Sequence, residues 1–306
     1  MDYSAAAWAF DWAPPYENAI DAIAEVGCKG VELRIRTREE LNEYYTDERN
    51  TALRAQMDRL GLKLTNLNFT PEGASNVCAE ERAQAVADFR RVAAIAKQLD
   101  AALITVAASY PFDQKHIDEH YKPSMQIWTT PVPENADFAQ NYTDYLTTLH
   151  QFAAICRESG FKLAVETVPL TWARNTDAIL RLLEKLGEEN VGVTYDVANI
   201  TMSGELAEIF VYRLNKRIFN VQMADNHGVN NAHWRPGKGK NDFNALVRAL
   251  DDVGYQGAIC LELGDAKGAG RNPAAWFEPH GDYEVLSHEH TLAMAELDRV
   301  YQEERA

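Results

Sequence analysis

Short apolar runs alternate with longer amphipathic stretches from one end of the chain to the other. The runs are AAAWAF (5–10), KGVELRI (29–35), LKLTNLNF (62–69), ALITVAA (102–108), FKLAVET (161–167), VGVTYDV (191–197), RIFNVQMA (217–224) and GAICLEL (257–263). Their length and apolar character predict strands, several of them buried on both faces. The intervening stretches place apolar residues at helical spacing. PPYENAIDAIAEVG opens on proline and closes on Gly27, a second helix ends in ALRAQMDRLG, and residues 79–99 carry Ala, Val, Phe, Ile and Leu on one stripe. Further helices are predicted near 137–158, over TDAILRLLEKLG, ELAEIFVYRL and FNALVRALDDVG, and near 283–303.

Eight strand–helix units result, each roughly 25–40 residues long, with no low-complexity linker between them. Strands that alternate with helices pair in parallel, and eight such units in 306 residues predict one closed (β/α)8 or TIM barrel spanning 1–306. A doubly wound open sheet is the rival. It calls for a glycine-rich phosphate turn after the first strand, where this chain has AFDWAPP. The loop 109–137 after strand four is unusually long and carries four prolines. Loops of that length are functional or disordered, and Tyr110, Phe112, Tyr121 and Trp128 argue for order. A lid or a subunit contact is expected there, the latter making a homo-oligomer, a dimer or tetramer, plausible. The segment 264–306 after strand eight begins rich in glycine and polar residues and is expected to cover the pocket mouth.

The formal net charge of −16 opposes polyanionic partners unless a local basic face exists. Arg34, Arg36, Arg38 and Lys238, Lys240 form only small separate groups, so nucleic acid binding is disfavoured. Cys28, Cys78, Cys156 and Cys260 lack CxxC spacing and read chiefly as small hydrophobes. MDYSAAAWAFDW lacks the pattern of a signal peptide, and no apolar run approaches the roughly 20 residues of a membrane span. A cytoplasmic protein is expected.

In a barrel of this kind chemistry sits where the strands end. Those ends offer Glu166 in AVET, Asp196 and Asn199 in YDVAN, Gln222 and Asp225 in VQMAD, and Glu262 in LELG, with Glu32 on the same alternation face as Arg34 and Arg36. Ion pairs with arginines or backbone donors would explain any one of these carboxylates. As a set on successive strands, Glu166, Asp196 and Glu262 would repel one another without a cation. With the amide oxygen of Gln222 they form an all-oxygen ligand set, which favours Mg²⁺ or Mn²⁺ over zinc. An ion so placed polarises a carbonyl while flanking glutamates move protons, which is the chemistry of proton abstraction beside a carbonyl.

The chain resembles the xylose isomerase-like barrel superfamily, which includes sugar phosphate isomerase/epimerases, ketose 3-epimerases, hydroxypyruvate isomerases and endonuclease IV. The resemblance covers essentially the whole chain and rests on GVEL, GLKLTNLN, AVET, VGVTYDVAN, VQMADN, PGKGKNDF and GYQGAICLE in that order. It implies a metal site of Glu166, Asp196, Gln222 and Glu262, with Glu166 and Glu262 doubling as the acid/base pair. Two positions depart from the common pattern. Gln222 stands where most members have histidine, although hydroxypyruvate isomerase-like members resemble this chain in having glutamine there, and Asn199 stands where many epimerases and endonuclease IV have histidine. His233 occupies the place of a further endonuclease IV ligand, but Asn231 replaces the aspartate that accompanies it. The trinuclear DNA-cleaving site is therefore not expected. His233 reads first as substrate-binding, ahead of structuring its loop or binding metal.

Other signals are weaker. PGKGK offers backbone amides and Lys238 to a phosphate, or is a turn before the next helix. Trp12, Trp128 and Trp172 are candidate pocket walls for a sugar ring. Arg36 is a candidate partner for a substrate carboxylate or hydroxyl, against a solvated salt bridge. The expected function is a metal-dependent isomerase or epimerase acting on a small hydroxy-carbonyl compound such as a ketose, through an enediolate. Asn199, His233, Arg36, Trp128 and Trp172 would bind substrate. A lyase or dehydratase acting by β-elimination on a keto-sugar or inosose needs only a different fate for the same enediolate. A non-catalytic sugar-binding or partner subunit is the third reading, motivated by Gln222 and Asn199.

Overall fold

The computed structural model describes residues 2–113, 132–264 and 282–304. Its eight strands are β1 (Tyr3–Ala6), β2 (Gly30–Ile35), β3 (Lys63–Phe69), β4 (Ile104–Ala107), β5 (Leu163–Glu166), β6 (Val191–Asp196), β7 (Ile218–Met223) and β8 (Ile259–Leu261). Each pairs in parallel with the next, and β8 returns to β1 with Tyr3 opposite Ile259, which closes the barrel. The expected (β/α)8 architecture is the one observed.

Eight helices surround the strands: α2 (Glu17–Val26), α3 (Asp47–Leu60), α4 (Ala79–Gln98), α5 (Phe138–Ser159), α6 (Thr176–Leu186), α8 (Ala207–Leu214), α9 (Phe243–Asp252) and α10 (Tyr283–Glu304). Local chemistry sets their ends. The Asp137, Asn175 and Asp242 side chains each accept the third following N–H, from Gln140, Ala178 and Ala245 at 2.9–3.0 Å, and so cap α5, α6 and α9. Gly160 ends α5 at φ +84°, a backbone conformation that a side chain disfavours. Tyr283–Glu304 is thus the eighth barrel helix. Any cover for the pocket from the carboxyl-terminal segment falls on 265–281, outside the described residues, as do 114–131 of the long fourth loop.

Two short helices sit on the carboxyl ends of strands, α1 (Ala7–Phe10) after β1 and α7 (Val197–Met202) after β6. The expected strand 5–10 is corrected accordingly, because it ends at Ala6 and Ala7–Phe10 turn into a helix. An all-apolar, alanine-rich run has no periodicity to separate strand from helix, and Ala7, Trp8, Ala9 and Phe10 are buried. Similarly, Val197 belongs to α7 and not to β6.

The outer faces of the strands pack on the helices through aliphatic and aromatic side chains. The inner face is polar. Glu32, Asn66, Asn68, Thr105, Thr194, Asp196, Asn220 and Gln222 are buried inside it, and pairs such as Thr105 and Thr194, 2.7 Å apart, hydrogen bond across it. A core of this polarity is costly unless its groups find partners. The energetic compensation on the outer face leaves the inner face available for a site.

Candidate metal centre

Asp196 closes β6 and caps α7, with Oδ1 accepting the backbone N–H of Asn199 at 3.1 Å and Oδ2 accepting its side-chain Nδ2. Its register partner across the sheet is Gln222. Glu262 follows β8, and the indole Nε1 of Trp8 donates to its Oε1 at 2.8 Å. His233 comes from the loop after β7, with Nε2 3.2 Å from Asp196 Oδ2. Asp196, His233 and Glu262 are all buried, and one ligand atom from each lies within 4.8 Å of the others. The cluster could hold a metal ion.

The tautomer of His233 supports that fit. Its Nδ1 faces the Asn231 carbonyl at 3.0 Å, and a carbonyl only accepts, so Nδ1 carries the proton. A neutral ring then turns the Nε2 lone pair toward the Asp196 carboxylate, an arrangement that a cation or a second proton relieves.

Glu166 ends β5 and accepts from Asn68 Nδ2 at 2.5 Å. Burial, then the charges of Glu262 and Asp196, push its pKa up to about 8, against the opposing effect of the Asn68 hydrogen bond. Without a cation these carboxylates resist sharing the space, and a divalent ion reverses that. The ionisation of Glu166 therefore reflects its burial first and its two acidic neighbours second.

Gln222 is fully buried, and its Nε2 donates to Glu32 Oε2 at 3.1 Å. Among the described residues its buried Oε1 has no hydrogen-bond partner, nor has the buried Oδ1 of Asn199. Leaving such an acceptor unsatisfied costs about 1–3 kcal/mol, so either amide oxygen would gain by accepting from or coordinating a ligand. The donor set available to a cation is thus carboxylate oxygen, amide oxygen and one imidazole nitrogen.

The loop that carries His233 is anchored by Asp225. The backbones of Asp225 and Trp234 exchange two hydrogen bonds, at 2.8 and 3.0 Å. The Asp225 carboxylate accepts from the backbone N–H groups of Gly237, Gly239 and Asn241 and from Asn241 Nδ2, at 2.6–3.3 Å. A Cβ at Gly239 would lie 2.2 Å from Asp225 Oδ1, so this close wrap requires glycine. The amides of PGKGK are consumed here and Lys238 pairs with Glu289, which makes the segment a structural turn and not the phosphate cradle considered from the sequence.

Of the expected substrate-binding residues, Asn199 and His233 meet at Asp196. Trp172 is half-buried beside Tyr142 and Phe138, and its backbone N–H bonds the Ser109 carbonyl at 3.1 Å, tying the ends of β4 and β5 together. Arg36 pairs with the buried Glu40 at 3.1 Å through one turn of chain and lies over the Trp12 ring, 5.7 Å from its centroid. Trp128 lies outside the described residues. Sequence reasoning missed the supporting groups: Trp8, Asn68, Asp225 as an anchor, and Arg34, whose guanidinium lies 4.4 Å from the Trp12 ring centroid and 5.2 Å from that of Trp8. Asn66 and Asn68 were recoverable, since polar residues two apart within LKLTNLNF mark an inward face.

An uncharacterized protein of Methanocaldococcus jannaschii is 24% identical over 163 residues, 51% of this chain and 53% of that protein. Inosose dehydratase of Clostridium perfringens is 25% identical over 131 residues, 37% of this chain and 44% of that protein. The chain thus matches about half the length of these curated relatives. Among solved structures, a D-psicose 3-epimerase in the presence of D-fructose superposes with a TM-score of 0.77 at 18% identity, covering 98% of this chain and 99% of the other. The 3-keto-D-glucoside 4-epimerase of Escherichia coli gives 0.71 at 16% identity, covering 98% and 99%. These likenesses establish the fold. Residues 20–281 match the xylose isomerase-like TIM barrel family, and the chain belongs to that family.

Proposed function

We propose that this chain is a divalent-metal-dependent sugar isomerase or epimerase that works by proton abstraction beside a carbonyl, through an enediolate. The observation that carries this reading is the buried convergence of Asp196, His233 and Glu262 at the carboxyl end of the barrel, with Glu166 electrostatically linked to the same group. Family membership and the sugar epimerases among the structural neighbours support it.

Asp196, Glu262, Glu166, His233 and Oε1 of Gln222 are the groups that would hold the ion. An imidazole among the oxygens moves the preference toward Mn²⁺ and away from Mg²⁺ relative to an all-oxygen set. When bound, the ion supplies electrophilic polarisation of a carbonyl, which acidifies the neighbouring C–H. Glu166 and Glu262 supply the proton chemistry, one removing the α-proton and the other returning a proton at the adjacent carbon or the opposite face. The Trp8 indole holds Oε1 of Glu262 in a fixed direction, so the carboxylate need not reorganise when it acts. Asn199 Oδ1 is a buried acceptor for a substrate hydroxyl, and Trp172 provides an apolar wall for the ring.

The test is proton NMR in D₂O with added Mn²⁺ over ketoses, keto-sugars, inososes and hydroxypyruvate. Deuterium should enter the carbon next to the carbonyl of one substrate as its isomer or epimer accumulates. Glu262→Gln should lower kcat by about 10²–10⁴-fold, the range for loss of a positioned acid/base. Turnover close to that of the parent would refute the assigned role, and loss of water without isomer would reassign the chain to elimination chemistry.

A further inference from the structure

Glu32 is a carboxylate buried inside the barrel without a cationic partner in the described structure. It sits on β2 with no exposed surface. Its Oε1 accepts from Asn220 Nδ2 at 2.6 Å, and its Oε2 accepts from Asn66 Nδ2 and from Gln222 Nε2, each at 3.1 Å. Three amides from β3 and β7 thus converge on one carboxylate. Burying a carboxylate opposes folding even when it is hydrogen bonded, and an apolar side chain would pack there at lower cost. The arrangement therefore calls for a function.

A glutamine side chain is a poor ligand for one reason: its oxygen and NH₂ ends are nearly the same size, and half a turn exchanges them. An NH₂ group turned toward a cation repels it. A carboxylate only accepts hydrogen bonds, whereas an amide or hydroxyl at the same place would tolerate either end. Glu32 therefore admits Gln222 in a single sense, with Nε2 toward itself and Oε1 away. That Oε1 is a buried oxygen with no hydrogen-bond partner among the described residues, on the residue paired in register with Asp196. Asn66 and Asn220, which donate to the same carboxylate, hold it in place.

We propose that Glu32 is a positioning residue: by accepting Nε2 of Gln222 it sets the polarity of the amide so that Oε1 serves as a metal ligand. The inference rests on the metal-centre reading above and adds to it the group that makes an amide usable in the ligand set.

The experiment measures Mn²⁺ affinity by calorimetry and electron paramagnetic resonance for metal-stripped wild type, Glu32→Gln, Gln222→Ala and the double variant, with far-UV circular dichroism as the check on folding. Outer groups that orient a metal ligand are worth about 10–100-fold in affinity, so Glu32→Gln should weaken Mn²⁺ binding by that amount and alter the bound-ion spectrum. In the Gln222→Ala background the same substitution should change affinity less than about twofold, because the group it acts through is gone. A merely structural role would give the same loss in both backgrounds, and that result overturns the proposal. So does wild-type affinity in Glu32→Gln. Absence of Mn²⁺ binding by the wild type would instead overturn the metal-centre reading itself, and this inference with it. Glu32→Met, of similar length and without the carboxylate, is read by the same criteria should Glu32→Gln not fold.

Discussion

Replacing Asp225 by asparagine tests whether one carboxylate shapes the loop that delivers His233. In the native chain Oδ2 accepts from Gly237 and Gly239, and Oδ1 from the backbone and side chain of Asn241. Whichever way the new amide turns, its NH₂ faces two donors, and the other oxygen loses its charge. Two charge-assisted bonds at about 1.5–3 kcal/mol each are lost and two others weaken, partly offset by no longer burying a charge. The net loss is about 3 kcal/mol. An unfolding entropy of about 2.1 cal/mol/K per residue over 306 residues gives roughly 0.6 kcal/mol/K, so Tm should fall by about 5 °C in differential scanning calorimetry. Since His233 lies on this loop, Mn²⁺ affinity should fall as well, by about tenfold, the scale for displaced support of a ligand. A Tm within 1 °C of wild type, with unchanged Mn²⁺ affinity, would refute the anchoring role.

Two stability predictions follow from other parts of the barrel. His290 is buried on α10 with its ring stacked on Phe10 at 4.9 Å, and burial lowers its pKa from 6.5 to about 4. The unfolded chain therefore binds a proton that the folded chain refuses, so stability is intact above pH 6.5 and falls as pH drops toward 4, by about 3 kcal/mol from this group. Denaturant titrations across that window should show this slope reduced in His290→Phe, and an unchanged slope would contradict the assignment. Gly192 on β6 has no room for a side chain, since a Cβ would lie 2.5 Å from both the Arg217 carbonyl oxygen and the Phe219 ring. Gly192→Ala should cost about 1–3 kcal/mol, and a neutral effect in chemical denaturation would show that the β6–β7 pairing yields easily.

The barrel was legible because alternation of apolar runs with amphipathic stretches is its own signature, and punctuation such as the prolines of PPYENAIDAIAEVG and its closing Gly27 marks helix ends. The first strand was misplaced for want of that signature: AAAWAF is uniformly apolar and buried as strand and helix alike. Glu166, Asp196, Gln222 and Glu262 could be placed at the strand ends because polar residues that end apolar strands stand out, and of these the structure brings Asp196 and Glu262 together with His233. Their relations could not. Which residue Glu32 faces depends on barrel closure, which brings β7 across from β2, far apart in sequence. Nor does alternation alone show that Arg34 lies over both Trp8 and Trp12 while Arg36 shares Trp12 and pairs with Glu40. His233 was legible as a residue of interest, but its contact with Asp196 depends on the loop that Asp225 folds.

The account turns on whether Asp196, His233 and Glu262 form a cation site. Titration of metal-stripped protein with Mn²⁺, followed by electron paramagnetic resonance, tests this most directly. The prediction is one bound ion per chain, with binding lost in Asp196→Ala and weakened in His233→Ala while both variants remain folded. Wild-type protein that binds no Mn²⁺, or binds it equally well after Asp196→Ala, would contradict the account.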